Sequence, residues 1–330
     1  MAKASQPELT IWAVSDGRAG IEAQVEALAQ AVARLQPAKV ILKRIGWKAG
    51  LGRLPWWLNP LPRLALCTDS PVAAPWPDIW IAAGRATLPL STRVRRWSGG
   101  RTFVVQTQDP RVPAAAFDLI VPPEHDGLTG ANIFPIVGAP NRLTAERLAA
   151  EFAQFAARLD PLPRPRVAVI VGGTSRAFDL PADHAAAMAR QIVSAVEAAG
   201  GSVLVSFTRR TPAAAQAAIA AGLGHLPGWV WDGRGDNPYV AFLATADAIL
   251  VTEDSTNLAT DAAATGKPVY RLAMVGSSAK FTRFHADLEA RGIARRFAGR
   301  LETWRYPPLF EANRAAAELL RRYDARKNLI

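Results

Sequence analysis

Cysteine is almost missing from this chain. Cys67 stands alone among 330 residues, which excludes an internal disulfide framework and suits a reducing compartment, so a cytoplasmic location is expected. The four histidines are scattered, and together with a single thiol they offer no zinc-ligand spacing. The expected site has no resident cofactor and is metal-independent or borrows a metal with its substrate. Long apolar runs are also missing: none reaches the roughly 18–20 residues that cross a bilayer. Met1 to Thr10 is polar and leads straight into a strand pattern, unlike a secretory signal. Half of the residues are nonetheless hydrophobic, so the chain has ample material for a core, and its length suits two domains of ordinary size.

Acidic residues are scarce in one window. Between Lys43 and Arg101 there are ten basic residues against Asp69 and Asp78, within a net charge of +11. The same window holds L-G-R-L-P-W-W-L-N-P-L-P-R-L, with Trp56 and Trp57 adjacent. Tryptophan favours the headgroup level of a bilayer, and each lysine or arginine near anionic lipid contributes about 1 kcal/mol. Two readings are open: a peripheral contact with an anionic membrane surface, on the inner face of the cytoplasmic membrane, or two core tryptophans beneath solvated arginines. Nucleic acid is not an expected partner, because no recognition motif is present and aromatics do not interleave with the basic residues.

Apolar strand patterns alternate with helical ones. The first half runs from the strand Leu9–Val14 through the turn Ser15-Asp16-Gly17-Arg18-Ala19-Gly20 into a helix of about sixteen residues from Ile21, with Val25, Leu28, Ala29 and Val32 at helical spacing. Strands at Val40–Leu42, Ile79–Ala82, Thr102–Val105 and Leu119–Val121 follow. Asp160-Pro161-Leu162-Pro163-Arg164-Pro165-Arg166 reads as a linker, because its prolines forbid a regular helix. The plan then repeats: strand Val167–Val171, helix Pro181–Ala199, strand Ser202–Phe207, helix Pro212–Ala221, strand Val230–Trp231, a short helix at Tyr239–Thr245, strand Ala248–Val251 and strand Pro268–Leu272. An alanine-, leucine- and arginine-rich helix, Asn313–Arg326, closes the chain. The expected fold class is α/β, with two doubly wound domains facing a cleft, covering 1–160 and 161–310; residues 311–330 form a helix that packs back on the first domain.

In open parallel sheets ligands bind beyond the carboxyl ends of the strands. Three such turns in the second half suit phosphate. Gly172-Gly173-Thr174-Ser175 offers close backbone approach and hydroxyls; the alternative is a plain tight turn. Arg209 and Arg210 offer guanidinium forks to a diphosphate; the alternative is a solvated turn. Glu253-Asp254-Ser255-Thr256-Asn257 delivers a helix start, with Asp254 or Ser255 as N-cap, where amide N–H groups and the dipole favour an anion. Asp261, farther along that helix, either holds ribose hydroxyls or is surface. In the first half, Asp16 with Gly17 and Arg18 forms another strand-to-helix turn, and Asp16 either acts as a base or caps the helix. His125, in Pro122-Pro123-Glu124-His125-Asp126-Gly127, is the best-placed histidine for acid–base work, against a structural hydrogen-bonding role.

Ten segments in order resemble one family: S-D-G-R-A-G-I-E-A-Q (Ser15–Gln24), A-G-R-A-T (Ala83–Thr87), V-Q-T-Q-D-P-R (Val105–Arg111), F-D-L-I-V-P-P-E-H-D (Phe117–Asp126), V-I-V-G-G-T-S (Val169–Ser175), T-R-R-T-P (Thr208–Pro212), N-P-Y (Asn237–Tyr239), T-E-D-S-T-N (Thr252–Asn257), T-G-K-P-V-Y (Thr265–Tyr270) and K-F-T-R-F-H (Lys280–His285). They resemble the mitochondrial-fission ELM-type family, which has plant and bacterial members. That family is similar to GT-B glycosyltransferases and to nucleotide-sugar 2-epimerases. The resemblance implies GT-B architecture, with an acceptor- and membrane-facing first domain and a nucleotide-sugar-binding second domain, a UDP-sugar being the expected substrate. It implies that Gly173, Thr174, Ser175, Ser255 and Thr256 lie at the donor phosphates, and that Asp261 stands where many such enzymes carry a glutamate for ribose. Three functions are compatible: a glycosyltransferase acting on a membrane-associated or envelope-glycan acceptor, a non-catalytic interaction protein, or a 2-epimerase-like enzyme.

Overall fold

The computed structural model describes residues 8–48, 51, 54–58, 62–67 and 71–328. The chain divides into two compact units: Met1–Arg142 together with Phe310–Ile330, and Leu143–Leu309. The division falls ahead of the proline-rich stretch, so that stretch lies inside the second unit.

In the first unit, β1 (Leu9–Ser15) leads through α1 (Ala19–Leu35) to β2 (Ala38–Arg44); β3 (Ile79–Ala83), α2 (Leu88–Trp97), β4 (Phe103–Thr107) and β5 (Leu119–Val121) follow. The strands form a parallel sheet in the order β2-β1-β3-β4-β5. Alternation along the strands sends Ile11, Ala13, Ile79, Ile81, Phe103 and Val105 to one face, against Val25, Leu28, Ala29 and Val32 of α1. Trp12, Val14, Trp80, Val104 and Ile120 line the other face with Leu90 and Val94 of α2. The buried Trp80 indole donates to Ser91 Oγ at 2.9 Å, so its one polar atom is satisfied.

The second unit begins with α3 (Ala145–Leu159), whose N-cap Thr144 accepts the Arg147 N–H at 3.2 Å. Then come β6 (Arg166–Val171), β7 (Phe178–Asp179), α4 (Ala182–Ala198), β8 (Ser202–Phe207), α5 (Ala213–Leu223), β9 (Gly228–Val230), α6 (Tyr239–Thr245), β10 (Ala248–Thr252), α7 (Thr256–Ala263), β11 (Val269–Leu272), β12 (Val275–Gly276), α8 (Ala279–Ala290) and β13 (Ala294–Arg296). Six strands make a parallel sheet in the order β13-β11-β10-β6-β8-β9, while β7 and β12 pair antiparallel beside it. Residue 212 is the N-cap of α5 rather than its first residue, because its ψ of 138° is extended. The strand expected at Val230–Trp231 ends at Val230 and begins two residues earlier than expected. Helices α3 and α8 and strand β13 were not foreseen. The proline-rich stretch is pinned rather than loose: the buried Arg166 guanidinium donates to the Asp160 carbonyl at 2.7 Å and to Thr245 Oγ1 at 2.6 Å.

The last helix, α9 (Glu311–Lys327), returns to the first unit. Its stripe of Ala312, Ala315, Ala316, Leu319 and Tyr323 is buried in the core that α1 covers. Buried Glu311 accepts the Val137 N–H at 2.7 Å and is held by Arg314 at 2.6 Å. On the same helix, Glu318 accepts from Arg321 at 2.7 Å and from Arg322. The Arg321 hydrogen bond, helped by Arg322 and opposed by burial, pulls the Glu318 carboxyl down to about 2. A depressed carboxylate pKa stabilises the fold above the unfolded-state value, and that contribution is lost as pH falls towards the folded value. Glu318→Gln should therefore lower the urea midpoint at neutral pH, and its gap from the parent should close as pH falls from about 5 towards about 2. A gap independent of pH would show that the ion pairs contribute nothing.

Candidate functional site

Strand order determines which turns of the second unit meet. Because β6 lies between β10 and β8, their three carboxyl-terminal turns are neighbours. One side chain ties them together. The Asp254 carboxylate has no solvent exposure. Its Oδ2 accepts the Gly173 N–H at 3.0 Å and the Arg210 guanidinium at 2.7 Å, and its Oδ1 accepts the Thr252 hydroxyl at 2.7 Å. Thr252 Oγ1 in turn accepts the Gly172 N–H at 2.7 Å. The Arg210 carbonyl accepts the Thr174 N–H at 3.2 Å. A carboxylate removed from water costs several kcal/mol unless charge and donors replace the solvent, and here one cation and two neutral donors do so.

This closeness explains the glycines. A Cβ on Gly172 would stand 2.0 Å from Asp254 Oδ1, and one on Gly173 would stand 2.0 Å from the Arg210 carbonyl oxygen. Thr211 locks the same junction, accepting the Thr208 N–H at 3.0 Å and donating to the Gly172 carbonyl.

Ser255, not Asp254, is the N-cap of α7, its Oγ accepting the Leu258 N–H at 3.3 Å. Thr256 opens the helix, so its amide has no intrahelical partner. Asn257 lies in the same first turn, half-buried. Glu253 points towards β11, where it accepts the Met274 N–H at 2.8 Å and Arg271 at 2.9 Å. Its carbonyl accepts His285 Nε2 at 3.0 Å; burial pushes this imidazole's pKa down, in keeping with a neutral ring donating that proton. The turn is thereby tied to α8, and a structural role emerges for the histidine of K-F-T-R-F-H. Thr174 and Ser175 are exposed, but Thr174 donates to Asp179 at 2.9 Å and Ser175 Oγ accepts the Phe178 N–H at 3.2 Å.

The two arginines part company. Both are exposed, but Arg210 is committed to Asp254 while Arg209 forms no ion pair among the described residues. Asp261 accepts the Tyr239 hydroxyl at 2.9 Å. Burial, reinforced by the Asp261 charge, pushes the Tyr239 phenol well above its ordinary pKa, so it stays a donor. The sequence places Tyr239 only as the start of a short helix and the end of the N-P-Y segment, and its pairing with Asp261 depends on tertiary structure. Asn237 accepts the Tyr239 N–H at 3.0 Å and sets the turn.

In the first unit, Asp16 caps nothing: Arg18 is the N-cap of α1 and no side chain caps it. The Asp16 carboxylate accepts the Arg18 N–H at 3.2 Å and pairs with its guanidinium at 2.7 Å, beside Gly84 at the β3 tip. Gly17 has a φ of 79°, a left-handed turn that glycine adopts without strain. His125 lies in a 3-10 turn with its imidazole buried and Nε2 3.9 Å from the Asp126 carboxylate. At the β4 tip, Gln108 donates to Gln24 at 2.8 Å, joining two of the recognised segments. Among the described residues no group of three His, Cys, Asp or Glu side chains is arranged to hold a metal ion.

The sequence pattern of the family described as Mitochondrial fission ELM1 matches residues 19–323. The chain belongs to that family. It is 32% identical over 284 residues to the mitochondrial fission protein ELM1 of Arabidopsis thaliana, across 76% of this chain and 65% of the plant protein. The chain thus spans just under two thirds of that relative's length. Among solved structures, the UDP-GlcNAc 2-epimerase of Methanocaldococcus jannaschii is similar with a TM-score of 0.55 at 11% identity, over 95% of this chain and all (100%) of that one. The spinosyn forosaminyltransferase SpnP is similar with a TM-score of 0.50 at 13% identity, over 98% and 94%. These likenesses establish the fold of this ELM1-family member: two Rossmann-like domains of the GT-B class.

Replacing Asp254 by alanine leaves the Gly173 amide and Arg210 without their acceptor. The expected loss is about 2–4 kcal/mol, below the value for a fully buried pair because Arg210 is nearly half exposed. Arg209→Ala should stay within about 0.5 kcal/mol. Urea unfolding of both variants checks this, and equal midpoints would refute the hub.

Proposed function

We propose that the chain is a metal-independent enzyme of nucleotide sugars, a glycosyltransferase that takes a sugar from a UDP-sugar to a membrane-associated or envelope-glycan acceptor. The observation that supports it most is the junction of three strand tips around Asp254, which holds the exposed Thr174 hydroxyl, the exposed Arg209 and the start of α7 at one sheet edge. Amides at a helix start stabilise negative charge, and that charge grows on the leaving diphosphate in the transition state. The roles expected of the turn residues are refined accordingly. Arg209 and the Ser255–Thr256 start of α7 contact the diphosphate, Arg210 fixes the loops, and Asp261, oriented by Tyr239, meets the ribose. Asp16 is a better candidate base than His125, whose imidazole is buried. UDP is the favoured nucleotide because the similar epimerase is an enzyme of UDP-GlcNAc.

A thermal-shift series with UDP-, GDP-, CMP- and ADP-sugars tests the donor site. A UDP-sugar at a hundredfold excess over its Kd should stabilise by about 2.7 kcal/mol, and Ser255→Ala and Arg209→Ala should reduce the shift. No response to any nucleotide would sink the enzyme reading and favour a non-catalytic interaction protein of this family, which is described by mitochondrial fission. Given a response, product analysis separates transfer to a lipid-linked acceptor from 2-epimerisation.

The acceptor side of the proposal rests on the basic window. Trp56 packs against the core and its carbonyl accepts Arg93, whereas Trp57 is 61% exposed, beside Leu58 at 54% and with Leu54 and Leu64 also exposed. Among the described residues no helix is long and apolar enough to cross a membrane. Exposed tryptophan and leucine amid arginines suit the surface of an anionic bilayer. Vesicles containing phosphatidylglycerol should sediment the protein, and Trp57→Ser/Leu58→Ser should weaken partitioning by roughly tenfold or more. Unchanged partitioning of the double variant would exclude this surface.

A further inference from the structure

The sheet of the second unit has a second edge that the donor-site proposal leaves unused. At the amino-terminal ends of β6, β10 and β11 lies a cavity of ≈ 440 Å³, lined by Phe152, Arg164, Asp247, Lys267, Thr303 and Arg305 among others. Its size falls within the range of small-molecule sites.

The charges in it do not balance. Asp247 is the lone carboxylate of the lining, and it is spent: it pairs with Arg164 and accepts the Arg166 N–H at 2.8 Å. The Lys267 ammonium donates to the Leu243 carbonyl at 3.2 Å and to the Ala244 carbonyl, at the C-terminal end of α6. These are neutral acceptors. Arg305 is exposed and pairs with no carboxylate among the described residues. The cavity thus gathers three cations against one anion: Lys267 feels only the Asp247 charge that Arg164 already engages, and Arg305 forms no ion pair among the described residues. Arg166 adds positive charge behind the wall.

We propose that this cavity is a binding site for a phosphate dianion carried on a small metabolite, a phosphomonoester, seated between Lys267 and Arg305 with Arg164 at the rim. Three cations against one carboxylate leave an excess of two positive charges, which matches the dianion, and a guanidinium presents parallel donors to its oxygens. The exposed Thr303 hydroxyl is a further donor in the lining. The volume beyond the phosphate holds the rest of the metabolite, against Phe152. The site is separate from the Asp254 junction, because parallel strands place the two at opposite ends.

Burial lowers the Lys267 pKa to about 8, with Arg164, Arg305 and Arg166 pushing the same way against Asp247. A bound dianion reverses that push, so binding takes up protons and weakens as pH rises through about 8.

Calorimetric titration of the full chain with inorganic phosphate, and with sulfate, which stays a dianion throughout, tests the proposal. Saturable binding to one site is expected. Arg305→Ala should weaken it roughly tenfold without loss of fold, since that side chain has no partner to lose. Lys267→Met should weaken it further, Ser255→Ala should leave it unchanged, and sulfate affinity should fall between about pH 7 and 9. Absence of saturable binding overturns the proposal. So does binding that survives Arg305→Ala and is lost in Ser255→Ala, which would assign the anion to the helix start at the other edge. The first result leaves the donor-site reading untouched, and the second would favour it.

Discussion

One buried charge holds the candidate site in shape. Asp254 sits at the tip of a central strand, out of water, and its oxygens are compensated from three directions: its own strand's Thr252, the amide of Gly173 and the guanidinium of Arg210. A desolvated carboxylate is tolerated only with such compensation, so the three turns cannot move independently. The glycines follow from it. Residues 172 and 173 lack a side chain because the space a Cβ would take is already filled by the carboxylate and by a backbone carbonyl. The Gly-Gly turn therefore has a structural reason that holds whatever ligand it meets.

The fold was legible because parallel strands buried on both faces read as continuous apolar runs: Ile79–Ala82, Val167–Val171 and Ala248–Val251 all fall within strands of the structure. Helix α3 was missed although Thr144 is a sound N-cap, because the prolines just after it drew the boundary to themselves. Those prolines lie inside a unit, pinned by the Arg166 guanidinium, and nothing in local composition reports a long-range hydrogen bond of that kind.

The site was legible as a set of turns and not as a set of roles. Adjacent identical residues are the clearest case. Arg209 and Arg210 are equivalent in sequence and both reach solvent, yet of the two only Arg210 closes an ion pair among the described residues. Trp56 and Trp57 divide between packing against the core and exposure. Side-chain direction at a turn depends on which strands are neighbours, and strand order is a tertiary property. Asp254 and Ser255 illustrate the point again. Both are good N-caps, and the cap falls to Ser255 because the inter-strand junction takes Asp254.

The internal pairing constrains how any ligand can bind at this edge. Asp254, Arg210, Glu253 and Asp261 already have partners of complementary charge or hydrogen-bonding type. A ligand that competed for them would have to break buried interactions worth as much as those it made. What the edge offers without that penalty is the amide at the start of α7, the exposed Arg209 and the exposed Thr174 hydroxyl. A helix-start amide and an exposed guanidinium recognise an anionic oxygen cluster without demanding a particular base or sugar. Selectivity for any ligand at this edge would then have to arise from residues around the junction, while the junction itself supplies a frame.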